Sequence, residues 1–163
     1  MIRKITSKDF DFIYNLYMDP QVNPYLLYEQ MDIATFKPIF SDLLKKGIIF
    51  IYEDEQVPVG MFKLVPETHR SSHVVYLGGL AIDPNFSGKG AGTDMLQAII
   101  DYAQQNHFLR IVLSVATSNE KAINLYRKMG FIHEGVLKNY TYLKAEQKFI
   151  DEYLMAYLFS LPY

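Results

Sequence analysis

Glycines at 88, 90 and 92 stand between an apolar run ending Leu80-Ala-Ile82 and an amphipathic segment that opens Thr93-Asp-Met-Leu96. A strand that passes through such a turn straight into a helix leaves few choices of architecture. Glycine allows φ > 0 and lets the backbone come close to a ligand. The first amides of the helix have no partner inside it, and its dipole places partial positive charge at the same end. The junction therefore predicts a cradle for phosphate oxygens. The plainer alternative is a glycine-rich turn that only starts a helix.

Two familiar phosphate-binding patterns do not fit. A Walker-type loop needs a glycine five residues before its Gly-Lys pair and Ser or Thr after it. Here Asp83 stands five before Gly88, and Gly90 follows Lys89. A dinucleotide fingerprint, G-x-G-x-x-G, would need glycine at Thr93 or at Met95.

A second segment, Asn119-Glu-Lys-Ala122-Ile-Asn-Leu125-Tyr126-Arg-Lys128-Met-Gly130-Phe131, gives the loop its meaning. Together the two motifs resemble the GNAT superfamily of acetyl-CoA-dependent N-acetyltransferases. That family's loop reads Arg/Gln-x-x-Gly-x-Gly/Ala, and Ser87-Gly-Lys-Gly90-Ala-Gly92 fills its place with Ser87 for the usual Arg or Gln. Its second motif, Asn-x-x-Ala-x-x-Leu-Tyr-x-Lys-x-Gly-Phe, is matched at every named position from Asn119 to Phe131. The resemblance runs over roughly residues 2–159.

Composition sets the outer bounds. The chain has 163 residues, half of them apolar, enough for one domain with a proper core. A net charge of −2 gives no basic surplus for nucleic acid or acidic membranes. Cysteine is absent, which removes disulfides, thiolate metal sites and cysteine nucleophiles. No apolar run has membrane-spanning length, and Met-Ile-Arg-Lys-Ile does not read as a signal peptide. These features lead us to expect one cytoplasmic domain over residues 1–163, with no metal, nucleic acid or membrane partner.

Hydrophobic spacing predicts alternating elements. Ile2–Ile5 reads as a strand. Ser7 caps a helix carrying Phe10, Ile13, Tyr14 and Tyr17, and Asp32 caps another carrying Phe36, Phe40 and Leu43 that Gly47 stops. Strands at 48–52 and 58–65 form a hairpin. Val74–Ile82 is apolar on both faces, as in a strand covered on two sides, and its Gly78-Gly79 pair suggests a bulge or a close approach. A helix over 90–106, a strand over 111–115 and a helix ending at Gly130 follow, with Thr117-Ser-Asn-Glu120 read as a capping box. Segments 131–136 and 149–158 close the sheet as an antiparallel pair. The expected class is α/β, a mixed, mostly antiparallel sheet with helices on both faces. The resemblance implies the same fold, with the fourth and fifth strands splayed around the cofactor arm.

The resemblance also implies roles. Backbone groups of Ser87, Gly88, Lys89, Gly90, Ala91 and Gly92, with Thr93, would hold the pyrophosphate of acetyl-CoA. Leu80 and Ile82 would pair with the pantetheine amides, and the Leu80 N–H would polarise the thioester carbonyl. Asn119, Ala122 and Tyr126 recur on one helical face, with Lys128 in the same motif. Tyr126 would assist departure of the thiolate, and CoA would be the product. Core packing is the plain alternative for Leu80, Ile82 and Tyr126.

The amine must lose a proton, yet no Asp or Glu lies within 74–82. Glu67, His69, His73 and Tyr76 are the nearby candidates, and His73 titrates in the useful range, though a histidine at a strand end is usually a surface residue. Family-like placement of the acceptor pocket points to Tyr25, Leu26, Tyr28, Tyr140 and Tyr142. Glu29, Glu134 and Asp151 are candidates to attract an ammonium. The expected acceptor is a small primary amine of amino-acid or polyamine type. The alternatives are a protein amine or a non-catalytic acyl-CoA sensor. Homodimers are common in the family, so a homodimer is one assembly the resemblance allows.

Overall fold

A computed structural model describes residues 1–161. The elements run β1 (Ile2–Lys4), α1 (Phe10–Met18), α2 (Ile33–Lys46), β2 (Ile49–Asp54), β3 (Val57–Pro66), β4 (Val74–Ile82), α3 (Ala91–Gln105), β5 (Arg110–Ala116), α4 (Glu120–Lys128), β6 (Ile132–Leu143) and β7 (Lys148–Leu158), with short 3-10 turns between some of them. The strands form one seven-stranded sheet in the order β1-β2-β3-β4-β5-β7-β6. β4 and β5 run parallel; β1–β2, β2–β3, β5–β7 and β6–β7 are antiparallel. This is the mixed, mostly antiparallel sheet expected.

Contacts divide the chain into two compact units. One is Met1–Leu64 with Gly79–Ala91; the other is Val65–Gly78 with the chain from Gly92 onward.

In the first unit, Ile13, Leu16 and Tyr17 of α1 and Phe36, Phe40 and Leu43 of α2 bury against Ile49, Ile51, Met61 and Ala81. Side chains alternate along a strand, so the other face of β2 and β3 carries Phe50 and Phe62, directly paired and stacked with ring centres 5.3 Å apart. Arg3 engages both buried carboxylates of this unit. Its Nε donates to Glu53 Oε1 at 2.6 Å, and its two terminal nitrogens donate to Asp9 at 2.8 and 2.9 Å. Hydrogen bonds from that guanidinium hold the Asp9 carboxyl below the usual carboxylate range.

In the second unit, Met95, Leu96, Ile99, Ile100 and Ala103 of α3 are buried, as are Ile111, Leu113 and Val115 of β5. The alternation on β5 is strict, with the intervening residues half-buried. Its ladder with β4 covers three pairs, Val74–Tyr76 with Arg110–Val112.

Three local expectations need correction. The first helical turn is capped by Thr6, not Ser7: its side chain accepts from the Lys8 N–H while Asp9 reaches back to the Thr6 N–H, a complete capping box. Helix α4 is capped by Asn119, not Thr117. The sixth strand runs to Leu143 rather than ending at Val136. Its pairing with β7 shifts register between His133 and Gly135 and again between Leu137 and Thr141, with Asn139 at φ 50°. Each shift breaks the two-residue alternation by which a strand is read from sequence.

Candidate active site

The phosphate-loop candidates lie mostly in the first unit. At the end of β4 the Asp83 N–H donates to the Val59 carbonyl at 2.8 Å, and the Asp83 side chain accepts from the Asn85 N–H. A single turn over Pro84–Phe86 delivers the chain to Ser87. Gly88 and Gly90 then take φ +79° and +82°, and no atom lies within 4 Å of where a Cβ would stand on either. Backbone conformation, not crowding, demands glycine at both positions. Open space beside both glycines leaves room for a ligand to approach the loop backbone. Lys89 is exposed beside them, and Ala91 begins α3.

On β4, Ala81 is in the core, whereas Leu80 and Ile82 on the other face are half-buried. Just before them Gly79 has φ +53°, and a Cβ there would stand 3.5 Å from the Tyr17 hydroxyl. The glycine pair thus marks both a backbone irregularity and a close approach.

In the second unit, Gly92 has a different reason to be glycine. A Cβ there would meet Leu125 Cδ2 at 3.2 Å, so it lets the first turn of α3 pack closely on α4. Thr93 follows, half-buried. Asn119 Oδ1 accepts the Ala122 N–H at 3.3 Å. Its carbonyl oxygen therefore serves the helix cap, and its side-chain amide nitrogen is the group left to donate to a ligand. Ala122 is half-buried and Lys128 exposed.

Tyr126 is 7% exposed and packs on Phe131 with ring centres 5.6 Å apart. Burial, with a smaller contribution from Tyr76, pushes its phenol pKa up. Among the described residues no hydrogen bond reaches its hydroxyl, and no buried polar side-chain atom is left unsatisfied. The hydroxyl is therefore not wholly sealed from solvent.

A polar group around Tyr76 was not legible in the sequence. Tyr76 is half-buried, and burial raises its pKa, opposed by a hydrogen bond with the Ser114 side chain. The negative charge of Glu152 on β7 acts on it as well. Thr141 Oγ1 donates to Glu152 Oε2, and Glu152 pairs across the sheet with Ala116 on one side and Leu137 on the other. Tyr76, Tyr126 and Glu152 interact although they come from three distant stretches of chain.

The other predicted residues are more scattered. His73 is exposed, and its carbonyl accepts the N–H groups of Leu109 and Arg110. Tyr25 is 54% exposed in the turn Asn23–Tyr25. Tyr28 packs edge-on against Tyr17 at 5.1 Å. Tyr142 is 48% exposed and lies against Phe149 at 4.8 Å. Glu134 is ion-paired to Arg110, and Asp151 is engaged by Lys138 and the Asn139 N–H. An open cleft of about 330 Å³ beside Thr117, Ser118 and Phe149 includes Asp151 but none of the residues expected to hold the cofactor. Among the described residues, no three His, Asp, Glu or Cys side chains group as metal ligands, and no helix is long and apolar enough to cross a membrane.

Comparison with known proteins agrees with this geometry. The family described as acetyltransferase (GNAT) family matches residues 10–131. The uncharacterized N-acetyltransferase p20 of Bacillus licheniformis is 26% identical over 96% of this chain and 91% of its own length. The spermidine N(1)-acetyltransferase of Escherichia coli K12 is 27% identical over 90% of this chain and 80% of its own. Among solved structures, spermidine N-acetyltransferase from Vibrio cholerae in complex with CoA and spermine superposes with a TM-score of 0.83 at 24% identity, covering 97% of this chain and 94% of that one. Ribosomal-protein-alanine N-acetyltransferase from Brucella melitensis gives 0.78 at 21%, covering 98% and 99%. At those identities the superpositions speak for the fold.

Proposed function

The chain belongs to the GNAT acetyltransferase family, and on that premise we propose that it transfers an acetyl group from acetyl-CoA to a small primary amine, as one cytoplasmic domain over residues 1–163. The observation that carries this reading is the loop at 87–91, where two left-handed glycines leave open space beside the loop backbone. The names of the spermidine acetyltransferase relatives support a small-molecule amine as acceptor.

The residues divide the work. Amides of the loop, with Thr93, bind the pyrophosphate, and Lys89 adds positive charge. Backbone groups of Leu80 and Ile82 hold the arm, with the Leu80 N–H placed to stabilise oxyanion character on the carbonyl. Asn119 donates through its side-chain nitrogen, and Ala122 leaves room beside it. Acetyl-CoA supplies an activated acyl carbon and a thiolate leaving group. The amine nitrogen bonds to that carbon, the C–S bond breaks, the amine gives up a proton and the thiolate takes the electron pair. Tyr126 donates a hydrogen bond to the departing sulfur.

For the amine's proton we assign Glu152 as acceptor, acting through Tyr76 or a bridging water. It is the carboxylate that acts on Tyr76, whereas the His73 side chain is exposed just before β4. Glu152→Gln keeps the shape and the bond from Thr141 but removes the base. A fall in kcat of roughly 10²-fold with CoA affinity retained is expected. A kcat within threefold of wild type would return the role to another group.

Binding and turnover test the whole reading. CoA at a hundredfold excess over its Kd stabilises the folded state by about 2.7 kcal/mol, a clear upward shift in melting temperature. A thiol-release screen with amino acids, polyamines and peptides then separates the acceptor classes. Absence of any shift at millimolar CoA overturns the assignment. A shift without turnover on any amine converts the protein into an acyl-CoA sensor.

A further inference from the structure

Lys63 on β3 is half-buried, yet among the described residues it has no carboxylate partner. The two buried carboxylates of its unit, Asp9 and Glu53, are both taken by Arg3. The neighbouring Lys46 has its own partner, Asp42, at 2.9 Å. Burial, and then the positive charge of Lys46, push the Lys63 ammonium pKa down. A half-buried cation without a counter-charge is a cost to the fold that a bound anion would relieve.

The surroundings of Lys63 supply one more unengaged polar group. Tyr17 is 3% exposed, with its ring fixed against Tyr28 at 5.1 Å and Phe36 at 5.7 Å. Its hydroxyl makes no hydrogen bond among the described residues, and no buried polar atom is left unsatisfied, so it too is not wholly sealed from solvent. Burial raises its phenol pKa, keeping it protonated as a donor. Gly79 brings the Tyr17 hydroxyl and the base of the Lys63 side chain together. The point where its Cβ would stand is 3.5 Å from the Tyr17 hydroxyl and 3.9 Å from Lys63 Cβ. Gly79 immediately precedes Leu80, whose N–H is assigned to the thioester carbonyl.

We propose that Lys63, with the Tyr17 hydroxyl beside Gly79, recognises a carboxylate carried by the acceptor amine, which makes the acceptor an amino-acid-type molecule rather than a polyamine. This rests on the acetyltransferase reading above and narrows its substrate class. One cation and one neutral donor match a carboxylate, which accepts several hydrogen bonds and returns the missing charge. A polyamine would bring further ammonium groups towards Lys63 and Lys46, where like charges repel in a partly desolvated setting. Of the three acidic candidates for attracting an ammonium, Glu134 and Asp151 are engaged by Arg110 and Lys138.

The test compares acceptors that differ only in charge: free amino acids against their carboxamides, with spermidine as the cationic reference. Wild-type protein is expected to favour acid over amide in kcat/KM by roughly ten- to hundredfold, and both over spermidine. In Lys63→Met that preference collapses towards unity, and Lys63→Arg restores part of it. Met is expected to fold, because the change removes an unpaired half-buried charge. Tyr17→Phe, which deletes one oxygen, gives a smaller loss in the same ratio and guards against misfolding of the first variant. Preference for spermidine, equal use of acid and amide, or an unchanged ratio in Lys63→Met each overturns the proposal while leaving acetyl transfer intact. CoA binding with no turnover on any amino acid overturns it too. Failure to bind CoA is a separate result that defeats the acetyltransferase reading itself.

Discussion

Gly90→Val is expected to abolish measurable CoA binding and leave the fold in place. Gly90 sits at φ +82°, a region where a β-branched residue is a steric outlier. Valine would move the loop towards negative φ and turn its amides away from their shared target. A charge-assisted hydrogen bond is worth about 1.5–3 kcal/mol, so loss of two weakens binding by about 10²–10⁴-fold. The fold should tolerate the change, because Gly90 is exposed and no atom lies within 4 Å of the new Cβ. Calorimetric titration with CoA reads the affinity, and a thermal melt without ligand reads the fold. Gly90→Ala should show a milder version, since alanine lacks the β-branch. If Gly90→Val binds CoA within threefold of wild type, the phosphate-loop assignment is wrong.

Tyr126→Phe is expected to slow acetyl transfer by roughly 10²-fold with CoA affinity nearly unchanged. The substitution keeps the ring and its contact with Phe131 and removes only the hydroxyl. Burial sets the kind of assistance that hydroxyl can give. A free thiol has a pKa of about 8.5 and a phenol about 10, and burial moves the Tyr126 phenol further up. Full proton transfer to the departing thiolate therefore runs uphill, and the phenol acts by donating a hydrogen bond while keeping its proton. Because Tyr126 stays protonated through neutral and moderately alkaline pH, its ionisation should add no limb to the rate profile there. The loss belongs in kcat more than in acceptor KM, since the interaction strengthens as charge builds on sulfur. Single-turnover rates are the right measurement, because slow product release masks chemistry in the steady state. A rate within twofold of wild type removes Tyr126 from the chemistry and returns it to the core.

Much of this protein was legible in its letters, for a local reason. The loop and the motif at 119–131 each encode one turn, one helix start or one helix end, and the residues that decide those features are neighbours in the chain. The left-handed glycines at 88, 90 and 130, the helix stop at Gly47 and the extent of β4 follow from such local chemistry. Where competing local signals were close together, the sequence favoured the wrong one. Thr6 and Ser7 can both cap, as can Thr117 and Asn119, and only the path of the preceding chain decides between them. The far end of β6 was missed because two register shifts erase the alternation that marks a strand.

The amino-acid sequence by itself determined the class of fold, the order of elements and the family to which the chain belongs. Only the tertiary structure decided what surrounds each ionisable group. Glu152 acts on Tyr76 because strand order puts β7 beside β5, and no local pattern in either segment announces it. Among the described residues no carboxylate pairs with Lys63, which stands opposite Ile49 of β2. Secondary structure is written by neighbours along the chain, whereas the charge and solvation of a side chain depend on every element packed around it.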